Sequence, residues 1–124
     1  MQEIEPYAIE AITIDRDFKD IDRFTADQEY CVHVKTSRAF YNVEQRQLWA
    51  AFNGLAKDGD LMNGLRFTSK GLQFWSTGDM RTVEFVKRVH AAADELAEAT
   101  AKAFSNAERR LGRLEGDLQQ YVTE

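Results

Sequence analysis

Cys31 and His33 lie two residues apart in the run Glu29–Thr36, EYCVHVKT. On a β-strand that spacing places both side chains on one face. A thiol beside an imidazole can serve as nucleophile and base. The pair would still need a group to orient the imidazole and donors for an oxyanion, and no motif in the chain supplies either. A strand face packed beneath a helix, or partly exposed, is the simpler expectation. A small enzyme using Cys31 and His33 is the alternative.

Metal chemistry finds less support. The histidines are His33 and His90, there is one cysteine, and no pair stands at a metal-ligand spacing. Asp15, Asp17, Asp20 and Asp22 have the look of a calcium loop. Its sixth position is Asp20 rather than glycine, however, and Ala26 stands where the closing glutamate belongs. These aspartates read as a solvated acidic loop, with a contact patch for a basic partner protein as the functional version. The glycines at 54, 59, 64, 71 and 78 are too widely spaced for a phosphate loop or a dinucleotide fingerprint. No metal or cofactor is expected.

The segment Arg66–Trp75 mixes bases with aromatics. Arg66, Thr68, Gln73 and Trp75 would share one face of a hairpin, and Phe67, Leu72 and Phe74 the other. Such a hairpin can stack single-stranded bases, although aromatic side chains in hairpins more often form core and cross-strand pairs. The charge balance argues the same way. The chain carries net −5: residues 1–29 hold nine acids and three bases, residues 30–78 three and six, and residues 79–124 nine and seven. Phosphate neutralisation needs clustered bases, so nucleic acid is an unfavoured partner.

These residues must be positioned by a few short elements. Tyr7–Ile14 follows Pro6, is rich in β-branched residues and reads as a strand. Phe18, Ile21 and Phe24, at steps of three, suggest a short amphipathic turn. Glu29–Thr36 is the clearest strand, with Tyr30, Val32 and Val34 facing one way. Asn42–Lys57 reads as a helix, Asn42 as N-cap with Gln45 as its capping-box partner. Its expected buried face is Leu48, Trp49, Phe52, Leu55 and Ala56, and Lys57-Asp58-Gly59 closes it. Leu65–Thr68 and Leu72–Ser76 flank a turn with Gly71 at the left-handed position. The expected fold is α+β: an antiparallel sheet of about four strands, one mid-chain helix and a long C-terminal helix or kinked pair. The 124 residues form one domain in this reading, with residues 1–78 as the globular part and 79–124 as the helical segment.

That last segment is the strongest feature. From Asp79 to Tyr121 there is no proline, and apolar residues recur at Phe85, Val89, Ala92, Leu96, Ala99, Ala103 and Ala107, then at Leu111, Leu114, Leu118 and Tyr121. Steps of three and four make one stripe on a helix. A continuous helix here would be roughly 60 Å long, against about 30 Å for the rest of the chain folded compactly. Either it bends at Ser105-Asn106, where Ser105 and Glu108 repeat a capping-box pattern, or Ala103, Ala107, Leu111, Leu114, Leu118 and Tyr121 pack on another molecule. Length favours the second, and the 4-3-4-3 spacing suits a short coiled-coil seam.

The expected function is non-catalytic protein binding: a homo-oligomer, a dimer, presenting an acidic surface to a basic macromolecular target. Small, acidic, motif-free domains of this type include phage-encoded inhibitors and adaptors, an association by size and charge alone. No apolar run is long enough to cross a membrane, residues 1–6 hold no leader-like stretch, and the lone cysteine suits a reducing compartment. The expected location is the cytoplasm.

Overall fold

A computed structural model describes residues 3–15, 29–56 and 62–123. Among them, four strands and three helices follow in the order β1 (Ile9–Ile14), β2 (Tyr30–Thr36), α1 (Asn42–Ala56), β3 (Met62–Thr68), β4 (Gly71–Ser76), α2 (Asp79–Ala91) and α3 (Ala93–Gln119). The strands form one antiparallel sheet in the order β1-β2-β4-β3, so the fold is α+β. Phe18, Ile21 and Phe24 lie outside the described residues, as do Lys57, Asp58 and Gly59.

Strand parity decides which side chains meet the helices. Val32 pairs with Phe74 and Val34 with Leu72 across β2 and β4, and all four are buried. Phe74 then meets Phe52 of α1 and Phe85 of α2 at centroid distances of 5.7 and 5.2 Å, while Phe52 and Phe85 lie 5.1 Å apart. The interplanar angles of 69°, 89° and 78° are edge-to-face, an arrangement that aromatic quadrupoles favour. This ring triad joins sheet, α1 and α2.

Gly71 opens β4 with φ +143°, and a Cβ there would lie 2.0 Å from the Val34 carbonyl oxygen. A side chain is thus excluded where β4 meets β2. Gly64, with φ +67°, sits in the irregular stretch of β3, and the Trp75 ring lies over it.

At the start of α1 the sequence reading is one residue late. Tyr41 is the N-cap, because the Glu44 carboxylate reaches back to accept its N–H at 2.8 Å. Gln45 instead donates its side-chain amide to the Phe40 carbonyl. Glu44 is fully buried and held by Arg38 in a two-point ion pair of 2.7 and 2.8 Å. Trp49 is a second correction. It is 45% exposed, because Leu48 and Phe52, four apart, already fill the face toward the core and Trp49 falls on the helix shoulder.

The bend at Ser105, the less favoured of the two alternatives, is absent. α3 runs unbroken through Ser105 and Asn106, and the helical segment is instead interrupted at Ala92. The Tyr7 hydroxyl donates to the carbonyl of Val89 at 2.5 Å. In an uninterrupted helix that carbonyl would take the N–H of Ala93. Insertion of a side chain into the ladder is a recognised cause of helix breaks. With the chain helical on both sides of Ser105, its capping-box pattern has no free N–H to cap.

Candidate protein-association surface

Three contacts set the direction of α1 against the α2–α3 line. Leu55 accepts a hydrogen bond from Arg81 at 3.0 Å, Phe52 meets Phe85, and Tyr41 meets Phe104 edge-on at 5.2 Å. Rising numbers on one side match falling numbers on the other, so α1 lies antiparallel to α2 and α3. Along that length α3 buries Leu96, Ala97, Thr100 and Ala101.

Beyond Phe104 the burial fades. Ala103, Phe104, Ser105 and Ala107 are half-buried, and every described residue from Glu108 to Thr123 is exposed. From Glu108 to Gln119 the helix extends roughly 18 Å. Leu111, Leu114, Leu118, Tyr121 and Val122 are 51%, 49%, 53%, 75% and 64% exposed. In heptad terms Ala97, Phe104, Leu111 and Leu118 occupy one seam position, and Thr100, Ala107, Leu114 and Tyr121 the other. The seam that faces α1 in the first half of α3 is therefore the seam that faces solvent in the second.

The structure places five of the six residues read from sequence as an association stripe, Ala103, Ala107, Leu111, Leu114 and Leu118, on one face of α3, with Tyr121 two residues past the helix end at Gln119. It divides them as the sequence could not, with Ala103 and Ala107 at the margin of the fold and the other four beyond it. The sequence reading missed Tyr41. Its exposed ring stands at the junction, held by Phe104 on one side and by the Arg38 guanidinium 4.6 Å above its ring. The only sequence signal was an aromatic one residue ahead of a helix.

The other candidates arrange differently. Asp15 is exposed, and its backbone N–H donates to the Cys31 carbonyl at 2.9 Å. Asp17, Asp20 and Asp22 lie outside the described residues. Among those described, no group of three or more histidine, cysteine, aspartate or glutamate side chains is disposed to hold a metal. Cys31 and His33 do share the sheet face away from the helices, opposite Trp75 and Gln73 of β4. Cys31 is 4% exposed, and burial together with the Asp15 charge pushes its thiol pKa up. A nucleophilic cysteine needs the opposite environment. In the 66–75 hairpin, Arg66 pairs with Gln73 and Phe67 with Leu72, giving the two faces expected. The Trp75 ring is applied to Gly64 rather than standing free.

No described helix is long and apolar enough to cross a membrane. No protein-family model, curated protein or solved structure matches the chain.

Proposed function

We propose that this protein is a non-catalytic association domain that joins a second copy of itself through the free half of α3. One observation carries the reading: three leucines, spaced as a coiled-coil seam, stand in solvent on a helix that has already left the body of the fold, with an exposed tyrosine just past its end. Full burial of a leucine is worth about 1.5–3 kcal/mol, and covering the exposed half of each leucine on both arms sets several such contributions against the entropy cost of association. Helices this short are marginal alone. The packed first half of α3 supplies the nucleus from which the arm extends.

The acidic balance of residues 1–29 supports a basic protein surface as the target of the assembled form. The dimer would then act as an adaptor or inhibitor, presenting two such surfaces. Truncation after Ala107 tests the association directly. The shortened chain should keep its circular dichroism signature per folded residue and its cooperative melt while losing the dimer mass. A shortened chain of unchanged oligomeric state would refute the role of the arm.

A further inference from the structure

Resting on the self-association just proposed, we infer that the two arms pack antiparallel, and that Tyr121 of each copy closes over the Tyr41–Phe104 pair of the other. The orientation follows from what already occupies the seam. α1 lies on the face of α3 that carries Ala97, Thr100 and Phe104, and its N-terminal end stands at Tyr41. A second α3 running parallel and in register would have to pass its own first half through the space of α1. Running antiparallel, it presents only its C-terminal end there and leaves α1 undisturbed.

In that arrangement the second helix continues the line of α1. The C-terminal end of one α3 then faces the N-terminal end of the other copy's α1, negative helix end to positive helix end. The Tyr41 ring is 38% exposed at that point and Phe104 is half-buried. Together they form an aromatic pad at the level where the second copy's chain leaves its helix.

The register follows from size and from the aromatic pad. Antiparallel helices set one seam position against the other, so Leu111 meets the partner's Leu114 and Leu118 meets the partner's Ala107, and this brings Tyr121, two residues past the helix end, to the level of the partner's Phe104. Large residues oppose small ones at Leu118 and Ala107. On one flank Arg110 comes beside the partner's Asp117, twice by symmetry. On the other flank Glu108 approaches the partner's Glu115, also twice by symmetry, so the flanking charges balance and added salt screens both pairs. Shifting outward by one heptad would set Asp117 against Asp117 and Glu115 against Glu115, and would leave the aromatic pad unmet.

Disulfide trapping tests it. The full chain carrying Ala107→Cys and Leu118→Cys in a Cys31→Ala background is oxidised in air, digested with trypsin and mapped by mass spectrometry. Eleven residues along one helix separate the two positions by roughly 16 Å, so they cannot join within a chain. The expected result is a covalent dimer linked 107 to 118. Links of 107 to 107 and 118 to 118 would overturn the antiparallel arrangement while keeping the dimer. Absence of covalent dimer from a parent chain that sediments as a dimer would overturn the register. A parent chain that sediments as a monomer would remove the self-association itself.

Discussion

Phe104 meets Tyr41 edge to face with ring centroids 5.2 Å apart, and this contact marks where α3 parts from its own fold. One heptad later, on the same face, Leu111 is half exposed. The helix does not change its character between the two positions. What changes is the neighbour: α1 begins at this level, and farther along no described residue of the chain covers the seam. The Arg38–Glu44 pair fixes that point, since Glu44 caps Tyr41 and Arg38 stacks on its ring.

The helix arm carries two glycines on its outer side, Gly112 and Gly116, and an added Cβ at either meets nothing within 4 Å. Glycine costs about 1 kcal/mol relative to alanine in a helix interior. Gly112→Ala with Gly116→Ala should therefore raise the helical signal, and the dimer tightens to the extent that the free arm frays before pairing. Sedimentation velocity across a dilution series reads the change. Weaker association would mean that the glycine side of the helix, not the leucine side, faces the partner.

Thr100 is fully buried against α1, and its hydroxyl has no hydrogen-bond partner among the described residues. Thr100→Val keeps the shape and removes an unsatisfied polar group, whose burial costs about 1–3 kcal/mol. The variant should be more stable to urea, with an unchanged denaturant slope. A loss of stability would show that the hydroxyl has a partner after all.

Gly71 is the point where β4 touches β2. Gly71→Ala would drive a methyl into the Val34 carbonyl at 2.0 Å and impose a strained φ of +143°. Several kcal/mol of destabilisation is expected, since strained backbone alone costs on the order of 1–3 kcal/mol. Thermal melting checks it. A variant within a degree or two of the parent would mean that β2 and β4 part easily.

Alkaline pH should weaken the fold. Burial raises the pKa of Cys31 above its usual 9.0, with Asp15 adding to the effect, and burial raises Tyr7 and Tyr30 above their usual 10.0. A group that holds its proton more firmly when folded contributes stability that is complete below its unfolded pKa and lost as pH climbs through the folded one. Stability should thus begin to fall near pH 9, and Cys31→Ala should make the first part of the decline shallower. An identical pH profile for the variant would place the titration elsewhere. In the parent, slow alkylation of Cys31 without denaturant is the companion expectation.

The elements governed by local pattern were legible in the sequence. Alternation along Tyr30–Thr36 identified the face that Val32 and Val34 bury, and steps of three and four identified the exposed stripe of α3. What escaped depends on distant partners. The break at Ala92 is tied to Tyr7, 82 residues before Val89, and no periodicity within 79–121 reports it. Glu44 is an acid in a first helical turn by sequence, and only the fold places Arg38 across it. Trp49 was misplaced because hydrophobicity alone does not say which of two adjacent helix positions faces a core already filled by Leu48 and Phe52.

The central claim is that the intact chain pairs through its free helix. Sedimentation equilibrium of the full chain, and of a variant with Leu111, Leu114 and Leu118 changed to serine, measures this in one experiment. The intact chain should approach about twice its 14.2 kDa monomer mass as concentration rises, and the serine variant should stay at the monomer mass with its fold retained. An intact chain that remains at 14.2 kDa throughout the micromolar range, or a serine variant that still pairs, would contradict the account.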